Sequence, residues 1–328
     1  MANKESVKIS DVVANVKKRF GDEAIAGVSK NVEWLNTGSI GLNQALGGGW
    51  AKGRIVELFG WESSGKSTLA LHASAECQKE GKVVAYIDME HALDPFYAEA
   101  LGVDTSEKSG LWYLSQPDDG ETALEIVREF AKSDEVGLIV VDSVSALLPR
   151  AVIAGEAGDQ KIGLLARLMS QMVPTLIAPA KKSGAVIMFI GQLREKIGIS
   201  WGDPSVTTGG NALKFYSSQR AQVARSGQDK DGDEIVANGT RVKVIKNKVA
   251  PPFKQTKFFI EFGTGIDKLR EVIDVAVELG IINKKGAGWM SYGDTKLGQG
   301  VDAVKILLED NPELLEEIQE KINEELNK

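Results

Sequence analysis

A chain of 328 residues, 43% hydrophobic and 26% charged, has room for two domains or one large domain with appendages, and this composition excludes a fibre or a disordered chain. The single cysteine, Cys77, excludes an internal disulfide framework, and two histidines, His72 and His91, leave little material for a zinc site. The net charge of −7, from 39 basic and 46 acidic residues, taken as a whole argues against a polyanionic partner.

The distribution of charge reverses that reading. Between residues 190 and 257, twelve Lys and Arg stand against six acids, whereas from 305 to 328 eight acids outweigh three bases. No apolar run approaches the ~20 residues of a membrane span. The first twenty residues lack the apolar stretch of a secretory signal, so a soluble cytoplasmic protein without a membrane partner is expected.

In chain order, Val7, Ile9, Val12, Val13, Val16 and Phe20 recur at helical spacing, with Ser10 and Asp11 as a candidate cap. A linker-like stretch follows, with a loop at Gly47–Gly49. Short apolar runs then alternate with amphipathic segments. The runs are Ile55–Phe59, Val83–Ile87, Leu111–Leu114, Leu138–Val141 and Ala185–Ile190; helices are predicted near 66–80, 95–101, 120–132 and 162–182. That alternation predicts an α/β fold around a parallel, buried sheet. From 219 onward, segments 219–225, 235–247 and 256–262 read as antiparallel hairpin strands extending it. A boundary is expected near 266, followed by a small domain that ends in an acidic helix after Pro312.

The chemistry begins at Gly60-Trp61-Glu62-Ser63-Ser64-Gly65-Lys66-Ser67-Thr68, which satisfies G-x-x-x-x-G-K-[ST] between an apolar run and a helix. Glycines let such a loop turn its backbone N–H groups onto phosphate oxygens, and the following helix presents its positive end. Lys66 is suited to neutralise the terminal phosphates and Ser67 to ligate Mg²⁺. Asp142, closing the run Leu138–Val141, stands where a carboxylate that holds Mg²⁺ belongs, although many strands end in Asp merely as a helix cap. Glu90 leaves another strand toward the same sheet edge and could deprotonate a water, or simply be a surface acid. Cys77 reads as core, and His91 as either packing or functional.

The segments GWESSGKSTL, YIDMEHALDP, VVDSVSALLPR, GLLARLMSQ, GGNALKFYSS and RVKVIKNKVAPPFKQ, taken together and in this order, resemble the bacterial-type RecA recombinases. The resemblance runs from about residue 5 to the C-terminus. It implies a P-loop NTPase with a RecA-like core and mainly parallel central sheet (34–266), an N-terminal helical polymerisation segment (1–33) and a small α+β C-terminal domain (267–328). It implies an ATP-dependent filament of this chain on single-stranded DNA that pairs it with homologous double-stranded DNA. A self-cleaving repressor is a further implied partner.

Position by position, the likeness implies that Gly60, Glu62, Ser63, Ser64, Gly65, Lys66, Ser67 and Thr68 hold the phosphates of ATP. Asp94 and Tyr97 lie beside the adenine, and Ser67 and Asp142 hold Mg²⁺. Glu90 activates water, and Gln192 senses the γ-phosphate. Lys246 and Lys248 reach the neighbouring subunit's ATP, and Phe262 replaces a tyrosine that borders the neighbour's nucleotide. DNA contacts are implied for Ile162, Gly163, Arg167, Ser170, Arg194, Lys196, Thr208, Gly209, Gly210 and Asn211, in and beside two loops at 154–163 and 193–207. Glycines and amides on phosphates give affinity without base identity. Trp201 is a candidate stacking residue.

Three departures stand out: Pro174 replaces a common arginine and is expected to kink its helix, Lys161-Ile162 replaces His-Met, and 24–33 differs from the usual polymerisation stretch. Two other readings compete, a RecA-fold ATPase without recombinase activity (ring helicase or clock-type) and an ATP-gated filament protein that only coats DNA.

Overall fold

A strand buried on both faces needs apolar side chains pointing both ways, and the predicted runs supply them in alternation. In the computed structural model, which describes residues 7–25, 31–155, 163–195 and 205–326, they form the centre of a ten-stranded sheet. Its order is Gly265–Ile266, Gln255–Glu261, Glu234–Asn247, Gln219–Asp231, Ile55–Gly60, Val186–Glu195, Val136–Asp142, Val83–Asp88 and Trp112–Ser115; Ser205–Thr207 pairs with Val186–Glu195 off this path. The calls on Lys161, Ile162, Lys196 and Trp201 lie outside the described residues.

One face of the sheet carries Val56, Leu58, Val84, Tyr86, Leu138, Val140 and Met188 against helices Ile40–Leu46 and Lys66–Lys79. The other carries Ile55, Ala85, Ile87, Ile139, Val141, Ile187 and Phe189 against helices Gly120–Phe130 and Leu164–Ser183. Successive residues of one strand thus serve two separate cores.

Three local expectations need correction. Gln219–Asp231 is antiparallel to Glu234–Asn247 but parallel to Ile55–Gly60, with Gly60 opposite Val223. It enters the sheet through helix Ala212–Tyr216, and a helical crossover returns the chain in parallel. The linker-like stretch contains helix Ile40–Leu46, capped by Ser39 Oγ, which accepts from Leu42 N at 3.0 Å. Helix Leu164–Ser183 contains Pro174 and Pro179 within one element, close to the single helix predicted near 162–182. Its buried residues Leu168, Met169, Val173, Leu176 and Ala180 pack along the sheet, and this packing holds a helix that lacks two N–H donors. In the N-terminal unit, helix Ile9–Phe20 begins after Lys8 without a side-chain cap, so Ser10 lies inside it. Its Val7 flank, Ile9, Val12 and Phe20 are all exposed.

Residues beyond 267 build their own apolar cluster. Helix Lys268–Glu278, strands Ile282–Lys284, Trp289–Tyr292 and Thr295–Gln299, and helices Val301–Glu309 and Pro312–Leu326 enclose Val272, Ile273, Ala276, Met290, Val304, Leu308 and Ile318. Glu271 ties this part to helix Ile40–Leu46, accepting from Gly41 N at 3.0 Å and from Ser39 Oγ.

His72 is buried, and its Nε2 accepts from Ile266 N at 2.9 Å. Burial, with Lys268 adding to it, lowers its pKa to about 4. The unfolded chain binds this proton near 6.5 and the folded chain only near 4, so stability falls as pH drops through that window, by up to roughly 3 kcal/mol. Urea midpoints at pH 7 and 4.5 are expected to lie closer together in His72→Gln than in wild type. An unchanged gap refutes the assignment.

Candidate active site and nucleic-acid interface

Parallel strands end together, so their C-terminal ends make one edge on which ligands collect. The register sets Gly60 opposite both Gln192 and Val223, Asp142 opposite Ile190, and Asp88 opposite Asp142. Gly60 closes its strand where a Cβ would stand 2.1 Å from the Val223 carbonyl oxygen, so only glycine fits. Gly65 has φ +96°, and a Cβ there would meet Ile260 Cδ1 at 2.6 Å. The loop Trp61–Ser64 is thereby folded back onto the start of helix Lys66–Lys79, with Ser63 in the left-handed region at φ +52°. Arg225 Nε holds the loop from outside through the Ser63 carbonyl at 2.9 Å. Glu62 is exposed, and the buried Ser64 hydroxyl has no hydrogen-bond partner among the described residues.

Lys66 is 7% exposed, and its ammonium donates to the Trp61 carbonyl at 2.7 Å. Burial pushes its pKa down, while Asp142, Glu90 and Glu62 hold it up. Asp142 Oδ2 accepts from Ser67 Oγ and from Tyr86 OH, both at 2.7 Å. Burial raises the Asp142 pKa against those two bonds, a balance that a nearby cation would tip back toward the carboxylate. An alcohol beside a carboxylate, both hard oxygen donors, suits Mg²⁺, which takes few protein ligands and completes its shell with phosphate and water. The orphaned Ser64 hydroxyl and the turned-in loop likewise suit phosphate oxygens.

Glu90 follows strand Val83–Asp88 in a turn built on buried Asp88, which accepts from Glu90 N at 3.2 Å, Leu93 N at 3.1 Å and Gln116 Nε2 at 3.0 Å. Gln192 Nε2 donates to Glu90 Oε1 at 3.0 Å, and Ser143 Oγ donates to the same oxygen. The Gln192 backbone carbonyl accepts from Thr208 N at 3.3 Å.

Asp94 caps helix Pro95–Ala100, accepting from Phe96 N at 2.9 Å and Tyr97 N at 3.3 Å. Tyr97 OH lies 3.0 Å from Thr68 Oγ1. A cavity of about 260 Å³ is lined by Ser63, Gly65, Thr68, Tyr97, Thr240 and Phe262, among others. Phe262 thus lines a cavity shared with its own chain's phosphate loop.

Lys246 and Lys248 are not part of this assembly within the chain. Val242 lies opposite Val223, which lies opposite Gly60. Lys246 lies opposite Arg220, which lies opposite Glu57, and is therefore set off by three residues, roughly 10 Å, along the sheet. Lys246 Nζ donates to the carbonyls of Lys214 at 2.6 Å and Phe215 at 3.0 Å, and Lys248 Nζ to that of Phe215 at 3.3 Å. Both ammonium groups thus cap the C-terminal end of helix Ala212–Tyr216. Burial, then Lys248 and Arg220, lower the Lys246 pKa.

Two of the described segments singled out for DNA contact, the start of helix Leu164–Ser183 and Thr208–Asn211, pack together. Gly163 starts helix Leu164–Ser183 at φ +81°, and Arg167 and Ser170 are exposed three residues apart on it. A Cβ on Gly210 would meet Ala166 Cβ at 2.7 Å, and one on Gly209 would meet Val144 Cγ1 at 2.7 Å. Thr208–Asn211 thus packs on the first turn of that helix and on the turn after Asp142. Arg194 is exposed near the end of strand Val186–Glu195, opposite Val206.

Residues that sequence reasoning did not select include Tyr86, Asp88, Gln116, Ser143 and Arg225. Tyr86 and Asp88 alternate with the core residues of a strand that was recognised, so polar residues at such a strand's end were the available signal. For Arg225 there was none. Among the described residues, no group of three or more His, Cys, Asp or Glu is arranged to hold a metal unaided.

A family model described as the RecA N-terminal domain matches residues 7–267, and one described as the RecA C-terminal domain matches 270–327. The chain is 52% identical over 334 residues to Protein RecA of Bacteroides thetaiotaomicron, covering 100% of both. It is 50% identical to Protein RecA of Psychrobacter arcticus, over 99% of this chain and 93% of the relative. With Protein RecA of Porphyromonas gingivalis the identity is 54%, over 94% and 91%. Among solved structures, the crystal structure of the RadB recombinase superimposes with a TM-score of 0.54 at 25% identity, covering 71% of this chain and 98% of that one.

Proposed function

The chain belongs to the RecA family, and from that premise we infer how its residues divide the work of a recombinase. It is a DNA-dependent ATPase of homologous recombination. A RecA-fold ATPase without recombinase activity is not favoured, because the relatives align along the whole chain, DNA segments included.

In the proposed reaction, the loop Gly60–Thr68 cradles the phosphates of ATP, and Lys66 meets the charge that grows on the γ-phosphate. Ser67 and Asp142 hold Mg²⁺, which when bound neutralises phosphate charge. Glu90 orients a water and takes its proton, the free oxygen being Oε2, since Oε1 is engaged by Ser143 and Gln192. Tyr97, Asp94 and Phe262 flank the base. Lys246 and Lys248 serve the ATP of an adjoining protomer, a reading supported by their distance from their own phosphate loop.

Single-stranded DNA is proposed to run over Gly163, Arg167, Ser170, Arg194 and Thr208–Asn211, with Ile162 and Lys196 in the adjoining loops. Double-stranded DNA is then examined by base pairing. The filament is built from copies of this chain, with residues 1–33 as the polymerisation segment. A domain boundary is proposed after 266, supported by the separate apolar cluster beyond it. No helix among the described residues is long and apolar enough to cross a membrane.

The observation that carries this reading is the two-sided bonding of Gln192, side chain to Glu90 and backbone to Thr208. Phosphate release is expected to rise severalfold when single-stranded DNA is added. Electron micrographs with DNA and a slowly hydrolysed ATP analogue are expected to show filaments. Rings whose ATPase ignores DNA would overturn it.

A further inference from the structure

The hydroxyls beside Glu90 obey a strict proton count. Ser143 Oγ has one hydrogen, and it is committed to Glu90 Oε1. Ser145 Oγ lies 2.6 Å from Ser143 Oγ, so Ser145 must be the donor in that pair. The result is a one-directional chain, Ser145 to Ser143 to Glu90, in which each donor is polarised by the next acceptor. Ser143 is 1% exposed, so water does not compete for its hydroxyl.

The turn that carries both serines is held independently. Ala146 N donates to the Ser143 carbonyl at 3.0 Å, Val144 and Leu147 are fully buried, and Gly209 packs on Val144. The serines are therefore fixed with respect to both the sheet edge and the segment Thr208–Asn211.

We propose that Ser143 and Ser145 are positioning residues for the water-activating carboxylate. Ser143 pins Glu90 Oε1 so that Oε2 faces the water, and Ser145 acts only through Ser143. Gln192 donates to the same Oε1, so when its side chain turns to another acceptor the serine chain is the tether that remains. This rests on the reading of Glu90 as the base.

The test is a double-mutant cycle on phosphate release with saturating single-stranded DNA. Ser145→Ala removes one polarising hydrogen bond and is expected to lower kcat about 3- to 10-fold with KM for ATP unchanged. Ser145→Thr restores the hydroxyl and the rate. Ser143→Ala is expected to lower kcat by about 10- to 100-fold. The Ser143→Ala/Ser145→Ala pair is then expected to be no slower than Ser143→Ala alone.

Wild-type kcat in Ser145→Ala overturns the proposal, as does a double variant slowed by the product of the two single effects. Should Ser143→Ala fail to fold, the Ser145→Ala and Ser145→Thr pair still decides, because a merely structural role would not spare KM and recover with the hydroxyl. Glu90→Gln separates the two levels of inference. If that variant retains turnover the base assignment falls and the chain with it, whereas an inactive Glu90→Gln beside an unaffected Ser145→Ala removes only the serines.

Discussion

Lys66→Ala yields a folded protein whose ATP hydrolysis is slower by at least about 10²-fold, with or without DNA. The buried ammonium sits among Asp142, Glu90 and Glu62. Without it, a triphosphate entering the loop meets carboxylates uncompensated by the cation that follows the P-loop glycine. Stability is little affected, because the charge was already desolvated and only the bond to the Trp61 carbonyl is lost. A melting temperature within about 2 °C of wild type, roughly the shift that ~1 kcal/mol produces in a chain of this size, separates lost chemistry from lost fold. Wild-type phosphate release in this variant would refute the site.

Gln192→Ala separates nucleotide binding from its consequence for DNA. The side chain reaches Glu90 Oε1 while the backbone carbonyl of the same residue holds Thr208 N, so one residue touches both the proposed base and the proposed DNA segment. Removing the amide leaves the loop Gly60–Thr68 untouched, and ATP affinity is expected to stay within about twofold of wild type. The preference of the ATP-analogue form over the ADP form for single-stranded DNA is expected to collapse to roughly parity, the limit for a ligand that no longer discriminates two states. Fluorescence anisotropy of a labelled oligonucleotide measures both forms. If the analogue still tightens DNA binding as in wild type, Gln192 is not the relay.

Much of this architecture was legible because its signals are local. The phosphate loop combines glycines at Gly60 and Gly65 with a strand before and a helix after, and each requirement acts within ten residues. The alternation of Val56 and Leu58 with Ile55 and Glu57 marks a strand without reference to its neighbours. What stayed hidden depends on pairing across the chain. The direction of Gln219–Asp231 follows from the crossover that feeds it, not from its residues. Ser143 and Glu90 lie 53 positions apart and meet only because strands Val136–Asp142 and Val83–Asp88 are adjacent. Helix Ile40–Leu46 was masked by the Gly47–Gly49 run, and it is secured by Ser39 and by Glu271 more than two hundred residues away. The prolines of Leu164–Ser183 did not hide that helix, because its apolar residues recur at helical spacing and pack on the sheet.

Lys246 and Lys248 already have occupations inside their own subunit, where both close the end of helix Ala212–Tyr216. An ammonium that leaves for an anion elsewhere vacates a carbonyl, and a short helix whose last oxygens lose their donors frays from that end. The opposite end of this same helix begins at Asn211, directly after the glycine pair packed on Val144 and Ala166. Under the roles proposed above, capturing a foreign phosphate would be an exchange reaction, and its by-product would be slack delivered five residues away from the proposed polynucleotide segment.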